Sequence, residues 1–268
     1  MLYRVVSLGA LSNHPLRDES RPVRTGHATT TYIEAAPDGK GRGTTGRTSG
    51  GGTLRILVDP GLPGAAVAAR LDERVGVSPR EITHVFLTSF QPDCRRGIAA
   101  FPNAAWLISE AEREAVGVPL AMALRDAIER VRESMGDEAL RALEAGNESG
   151  AGFEPDEDGG ELMLVRALQR DVAILQRCTP APDRLARGVD LFPLPGVTPG
   201  LCGLLLNEAT RTTLVCGDAI PTIEHLEQGK VLPWCADRER AQESFREAIE
   251  IADWLVLGRD NVTPSPGR

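Results

Sequence analysis

Histidine is scarce in this chain, with four residues in 268 and none between Thr88 and Gly97, where a strand-like run opens into a polar loop. Rebuilding a three-histidine metal site from those four would need a different fold from the one argued below. Cysteine is no more generous. The five cysteines (94, 178, 202, 216 and 235) are odd in number and form no Cys-x-x-Cys pair, which excludes a disulfide framework and fits unpaired thiols in a reducing cytoplasm. No apolar run approaches the ~20 residues of a membrane span. The opening MLYRVVSLGALS has too short an apolar stretch and no cleavage pattern, so it reads as a first strand. Positive charge is in deficit as well. Lys and Arg number 30 against 38 Asp and Glu, a net charge of −8, which argues against nucleic acid or an anionic membrane as partner. No internal repeat of about 20 to 50 residues is visible.

What the chain does contain is a series of short strands. Leucine-rich or β-branched runs bounded by Gly, Pro, Asp or Asn fall at 3–8, 29–35, 54–59, 82–88, 104–109, 190–194, 202–207, 212–216 and 254–257. Helical spacing lies between some of them. Val67, Leu71 and Val75 share a face that ends at Gly76, and Ser78-Pro79-Arg80-Glu81 is a capping box. Leu120, Leu124, Ile128, Val131 and Met135 step along one helix, Leu164, Leu168, Val172 and Leu175 along another, and Ala241, Phe245, Ile249 and Ala252 along a third. The length suits one large domain or two small ones, and the element order suits two sheets, or one mixed sheet, covered by helices.

Two segments break the pattern. Residues 37–53 are glycine-rich between two strands and predict a long, flexible hairpin loop. Within it, Gly41-x4-Gly46-Arg47-Thr48 imitates a phosphate loop but runs into a strand, whereas a phosphate loop must open a helix whose amides hold the anion. Residues 145–161 are acidic and poor in apolar side chains, which predicts a solvated linker.

Five blocks then agree in order: RILVDPGLPG, ITHVFLTSFQPDCRRGIAAFPNAAWLISEAE, LFPLPGVTPGLCGLLL, TTLVCGDAIPTIEHL and ADWLVLGRDN. Together they resemble the metallo-β-lactamase superfamily across nearly the whole chain outside a helical insert at about 110–178. The resemblance implies an α/β (α+β) fold, a four-layer αββα sandwich of two mixed sheets flanked by helices, as a single domain over 1–268. Hydrolases of that family hold two zinc ions with a His-x-His-x-Asp-His loop, a Pro-Gly-His-Thr-Pro-Gly turn, a Gly-Asp after a strand and a late Gly-His. Those positions fall on Ser89, Gln91, Asp93, Cys94, Val197, Asp218 and Arg259. Asp93 and Asp218 keep the family residue, and Cys94 keeps a group able to bind metal. Ser89 and Gln91 offer weak neutral oxygens, and Val197 offers nothing.

Arg259 decides between two readings. A permanently charged guanidinium at a ligand position repels a dication and cannot be deprotonated to relieve the conflict. Two carboxylates left ~4 Å apart without a cation would repel by about 4 kcal/mol at an effective dielectric of 20, and a bidentate arginine would cancel that repulsion. The expectation is therefore that Arg259 replaces the metal, pairing with Asp218 and also reaching Asp93. The primary reading is a metallo-β-lactamase-fold protein without a cofactor, non-catalytic, with a binding or interaction role toward a small molecule or a protein, a second copy of the chain included. The alternative is a hydrolase of an ester, thioester, lactone or phosphoester that holds one zinc or iron ion at Asp93, Cys94 and Asp218. Cys94 could be activated by Arg95, Arg96 and Arg259, but the lack of a nearby base favours an inert thiol. His84 and His225 read as structural, and nothing in their spacing links His14 or His27 to the loop.

Overall fold

The computed structural model describes residues 1–38, 52–137 and 159–267. The phosphate-loop imitation and most of the glycine-rich and acidic segments lie outside the described residues. The chain divides into two compact units: Met1–Arg113 with Thr179–Arg268, and Glu114–Cys178.

The larger unit is built on two six-stranded sheets. The first runs in the order β1 (Leu2–Ser7), β2 (Thr30–Ala35), β3 (Leu54–Val58), β4 (His84–Leu87), β5 (Ala105–Ile108) and β6 (Thr179–Pro180). β1 to β3 are antiparallel, whereas β3 to β6 run parallel. The second sheet runs β12 (Val262–Pro264), β11 (Trp254–Val256), β10 (Thr212–Val215), β9 (Cys202–Asn207), β8 (Val189–Pro193) and β7 (Arg184–Ala186). Within it only β10 and β11 are parallel.

Side-chain alternation makes the layers. Ile33, Ile56, Val58, Phe86 and Leu107 of the first sheet meet Val189, Leu204, Leu206, Val215 and Val256 of the second in one apolar cluster between the sheets. The other face of the second sheet turns Leu214 and Leu255 toward Ala241, Phe245 and Ala248 of a long C-terminal helix, Arg238–Ile251. Its N-cap Asp237 accepts from the Arg240 N–H at 3.0 Å. On the first sheet, Leu57 and Val85 alternate with the inner residues and are fully buried, as are Val67 and Leu71 of α1 (Gly64–Val75), which lies against β1. The result is the expected αββα sandwich. The capping box at Ser78 forms as read, but it opens a single 3-10 turn at Pro79–Glu81.

Several strands stop short of their apolar runs. The 82–88 run pairs only over His84–Leu87, and the 212–216 run only over Thr212–Val215. Thr88, released after β4, enters the polar cluster described below, whereas Cys216, released after β10, stays in the apolar cluster beneath the C-terminal helix. The remaining helices of this unit are short: α2 (Pro92–Arg95) and Ile223–Gln228.

The smaller unit is helical. It contains most of α3 (Glu110–Met135) and all of α4 (Gly159–Arg177). Ala127, Val131, Leu162 and Val165 are buried together, with Leu124, Ile128, Met135 and Leu168 packed against them. The expected α4 face is corrected in phase. Leu164 is exposed, and Leu162 and Val165 take the inner positions beside Leu168. Steps of three and four both fit a 3.6-residue period, so leucines at 162, 164 and 168 allow two stripes and only packing chooses. Among the described residues no helix is long and apolar enough to cross a membrane.

Candidate functional site

The polar residues of interest sit where β3, β4, β10 and β11 end, on the carboxyl side of parallel strands, where open α/β sheets commonly bind ligands. Asp59 follows β3. Ser89 to Cys94 follow β4 and enter α2. Asp218 lies in a 3-10 turn (Gly217–Ala219) after β10, and Arg259 follows β11.

Arg259 is the hub. Its Nε donates to Asp218 Oδ1 at 2.7 Å and its Nη2 to Asp218 Oδ2 at 2.7 Å, a two-point fork. Nη1 donates to Asp93 Oδ2 at 2.8 Å, and Nη2 also reaches Gln91 Oε1 at 3.3 Å. Arg259 and Asp218 are both buried, whereas Asp93 is partly open and receives a second cation, Arg96, at 3.0 Å. Burial works against the Arg259 charge, and the Asp218 carboxylate more than restores it, so the guanidinium is held even more firmly protonated than usual.

Backbone contacts fix this geometry. The Arg259 N–H donates to Pro221 O at 2.7 Å, and the Ala28 N–H donates to Asp93 O at 2.9 Å. Gly217 adopts φ +54°, and a Cβ there would come within 2.8 Å of Thr88 Oγ1, so glycine is needed both for the turn and for the approach of the two loops.

A third carboxylate, Asp59, joins the group through Thr88. Asp59 is 2% exposed and takes a positive φ of 48°. Burial pushes its carboxyl up to about 7; the hydrogen bonds from Thr88 oppose the shift, and the Asp218 charge adds to it. Cys94 is also buried, 3.5 Å from Ser89 Oγ. Burial, reinforced by the Asp59 charge, raises its thiol well above the usual range. The inert reading of Cys94 is the one this environment supports.

A buried strut holds the loop from the other side. Ser109 caps α3, with the Glu112 N–H donating to its Oγ at 3.1 Å. The Glu112 carboxylate accepts from the Phe90 N–H at 2.9 Å and from the Gly200 N–H at 3.1 Å, tying the β4 loop to the Pro195–Gly200 turn. A Cβ at Gly200 would come within 2.0 Å of Glu112 N. Arg95 completes the frame, donating to Phe90 O at 2.9 Å and stacking 4.3 Å from the Phe90 ring. Ser109-x-x-Glu112 is a capping-box spacing, so this strut had a signal in the sequence.

The fold thus gathers Gln91, Asp93, Asp218 and Arg259 into one hydrogen-bonded group, with Ser89 and Cys94 paired beside it. Val197 is different. It packs among Leu194, Leu201 and Phe245 in the apolar cluster beneath the C-terminal helix. Among the described contacts no histidine bonds to Asp59, Asp93 or Asp218, but His14 Nε2 lies 3.3 Å from Glu224 Oε2 and joins a further polar chain. His14 Nε2 lies 3.0 Å from Thr222 Oγ1, and that hydroxyl lies 2.8 Å from His225 Nδ1. Among the described residues no three His, Cys, Asp or Glu side chains are grouped as a metal ion would need.

No family model matches this chain. Two curated proteins named as metallo-hydrolases, from Mycobacterium bovis and Mycobacterium tuberculosis, are 30% identical over 168 residues, 63% of this chain and 46% of theirs. The match therefore spans about half the length of those relatives. Among solved structures, a candidate metallo-β-lactamase from Thermotoga maritima superposes with a TM-score of 0.56 at 15% identity over 98% of both chains. AidC, a dizinc quorum-quenching lactonase, superposes with a TM-score of 0.53 at 19% identity, covering 82% of this chain and 71% of its own. These likenesses establish the fold: the chain has the metallo-β-lactamase architecture.

Proposed function

We propose that this protein keeps the metallo-β-lactamase scaffold as a binding or interaction module, with Arg259 in the place a metal ion would take. The observation that carries this reading is the fork of Arg259 on Asp218, together with its third contact to Asp93.

The donor chemistry does not fit a dication. Both carboxylates at the metal-ligand positions already spend oxygens on a guanidinium that cannot lose its proton. Burial raises the Cys94 thiol well above its usual range, so a metal would have to offset that cost to take the thiolate. Ser89 and Gln91 are neutral, and Val197 belongs to the apolar cluster. A metal ion entering this site would have to displace Arg259 and leave its charge buried beside a second cation. Without a metal to acidify water, the site offers no evident nucleophile.

The competing reading is a hydrolase of an ester, thioester, lactone or phosphoester with one zinc or iron ion at Asp93, Cys94 and Asp218. It draws support from the curated relatives, which are named as metallo-hydrolases, and from the dizinc lactonase among the structural neighbours. Metal content decides between the two. The protein purified without added metal or chelator is analysed by plasma mass spectrometry beside an Asp93→Ala variant. The proposal expects no stoichiometric metal in either. About one zinc or iron per chain, lost in the variant, would overturn it.

A further inference from the structure

Beside Arg259 a cavity of about 310 Å³ opens within the larger unit, near the lower end of the range for small-molecule sites. Arg17, Arg24 and Arg259 all line it, brought together from the N-terminal segment and the loop after β11. His14 and Thr222, both buried, form part of the wall, and Leu11 adds an apolar surface. Among the described residues Asp260 is the one acid in the lining, and its carboxylate is occupied. Oδ1 accepts from the Asn261 N–H at 2.8 Å and Oδ2 from the Ile223 N–H at 3.3 Å.

The arginines still have donors to offer. Arg17 gives Nε and Nη2 to Glu224 Oε1, which leaves the Nη1 hydrogens unspent among the described contacts. Arg24 gives Nη1 to Leu11 O and Glu19, and Nη2 to Glu19, leaving its Nε–H. Arg259 has one further Nη1 hydrogen beyond the bond to Asp93. The partner carboxylates, Glu19, Glu224, Asp93 and Asp218, do not line the cavity.

The imidazole wall has a definite polarity. His14 Nδ1 accepts from the Leu16 N–H at 3.2 Å, so its proton sits on Nε2 and points to Thr222 Oγ1. Thr222 can then donate to His225 Nδ1, which puts the His225 proton on Nε2, a buried atom with no partner among the described residues. His14 Nε2 also lies 3.3 Å from Glu224 Oε2, and the fixed positive charges in the cavity lining are the three guanidinium groups.

We infer that this cavity binds a small organic monocarboxylate, its headgroup held by Arg17 and Arg24 beside Arg259 and its short aliphatic part against Leu11. A single negative charge suits the site better than two, because Arg17 and Arg24 each already face one acid and Arg259 two, and a dianion would meet Asp260 at close quarters. The inference rests on the reading above, in that Arg259 must stay in place to form the inner wall.

Isothermal titration calorimetry with sodium butyrate tests it, with butyramide and inorganic phosphate as comparison probes. The expected result is saturable butyrate binding with Kd of about 1 mM or tighter. Butyramide and phosphate should bind more weakly. An Arg17→Gln/Arg24→Gln variant should lose about tenfold or more in affinity, as expected for charge-assisted hydrogen bonds, and an Arg184→Gln control should lose none. Absence of saturable binding, equal binding of butyramide, preference for phosphate, or indifference to the double substitution would each overturn the inference. Metal analysis on the same preparation separates the two failures. A metal-free protein that ignores butyrate removes only this site, whereas stoichiometric metal lost with Asp93→Ala removes the reading beneath it.

Discussion

Asp59 is held at two points by Thr88: its Oδ1 accepts the Thr88 backbone N–H at 2.8 Å and its Oδ2 accepts the Thr88 hydroxyl at 2.6 Å. The carboxyl is nevertheless raised to about 7, because burial outweighs those bonds. An unfolded aspartate titrates near ~3.9, so between there and about 7 the folded chain keeps a proton that the unfolded chain has released. The stabilisation is complete below the unfolded value and is lost as pH rises through the folded one. Asparagine can accept from the N–H, donate to the hydroxyl and tolerate the positive φ of 48°. Urea unfolding of the parent should therefore show stability falling from about pH 5 to about pH 8 relative to Asp59→Asn, by on the order of a few kcal/mol. Parallel pH profiles would show that Asp59 does not titrate in that range.

Removing the guanidinium should leave Asp218 as a buried, unpaired carboxylate. Loss of one member of a buried pair costs about 3–5 kcal/mol, so Arg259→Ala should unfold at markedly lower denaturant at neutral pH. Arg259→Lys keeps the charge but not the planar fork, and should recover only part of the loss. A double-mutant cycle with Asp218→Asn measures the coupling directly. If Arg259→Ala is as stable as the parent, the arginine does not compensate the carboxylates.

The thiols should differ sharply in reactivity. Cys94 is buried with a raised thiol, whereas Cys235 is half-buried and, although burial raises it too, lies nearer solvent. Labelling with a disulfide reagent near neutral pH, followed by peptide mapping, should modify Cys235 first and Cys94 only on unfolding. Rapid native labelling of Cys94 would favour the reactive-thiol reading instead.

The sequence made some of these relationships visible and hid others. Strands with continuous apolar runs, such as Cys202–Asn207, could be read directly because burial on both faces leaves no other use for those side chains. Thr179–Pro180, Arg184–Ala186 and Val262–Pro264 could not, since they are two or three residues long and exist only through pairing with a neighbour. Charge logic pointed to Arg259 because a fixed cation at a ligand position demands an explanation. Asp59 escaped because an aspartate before Pro-Gly looks like turn chemistry, and its burial depends on loops distant in the chain. The His14–Thr222 contact spans 208 residues and has no local signature.

Restoring the ligands tests the positional matching itself. The combined variant Ser89→His, Gln91→His, Cys94→His, Val197→His and Arg259→His puts imidazoles at the five altered positions while keeping Asp93 and Asp218. Four of the five replaced side chains already lie in or beside the arginine-centred group, so their backbones are placed to converge. The fifth, Val197, must turn out of an apolar cluster, and its imidazole would lose burial unless a metal holds it. The variant should therefore be less stable than the parent without zinc and gain stability on adding it, because a ligand that binds only the folded state stabilises it by mass action. Thermal unfolding across a zinc titration, with circular dichroism to establish that the chain is folded, reads both effects. A folded variant that ignores zinc would show that these seven positions do not converge as a metal site, and that Arg259 does not stand where a metal would.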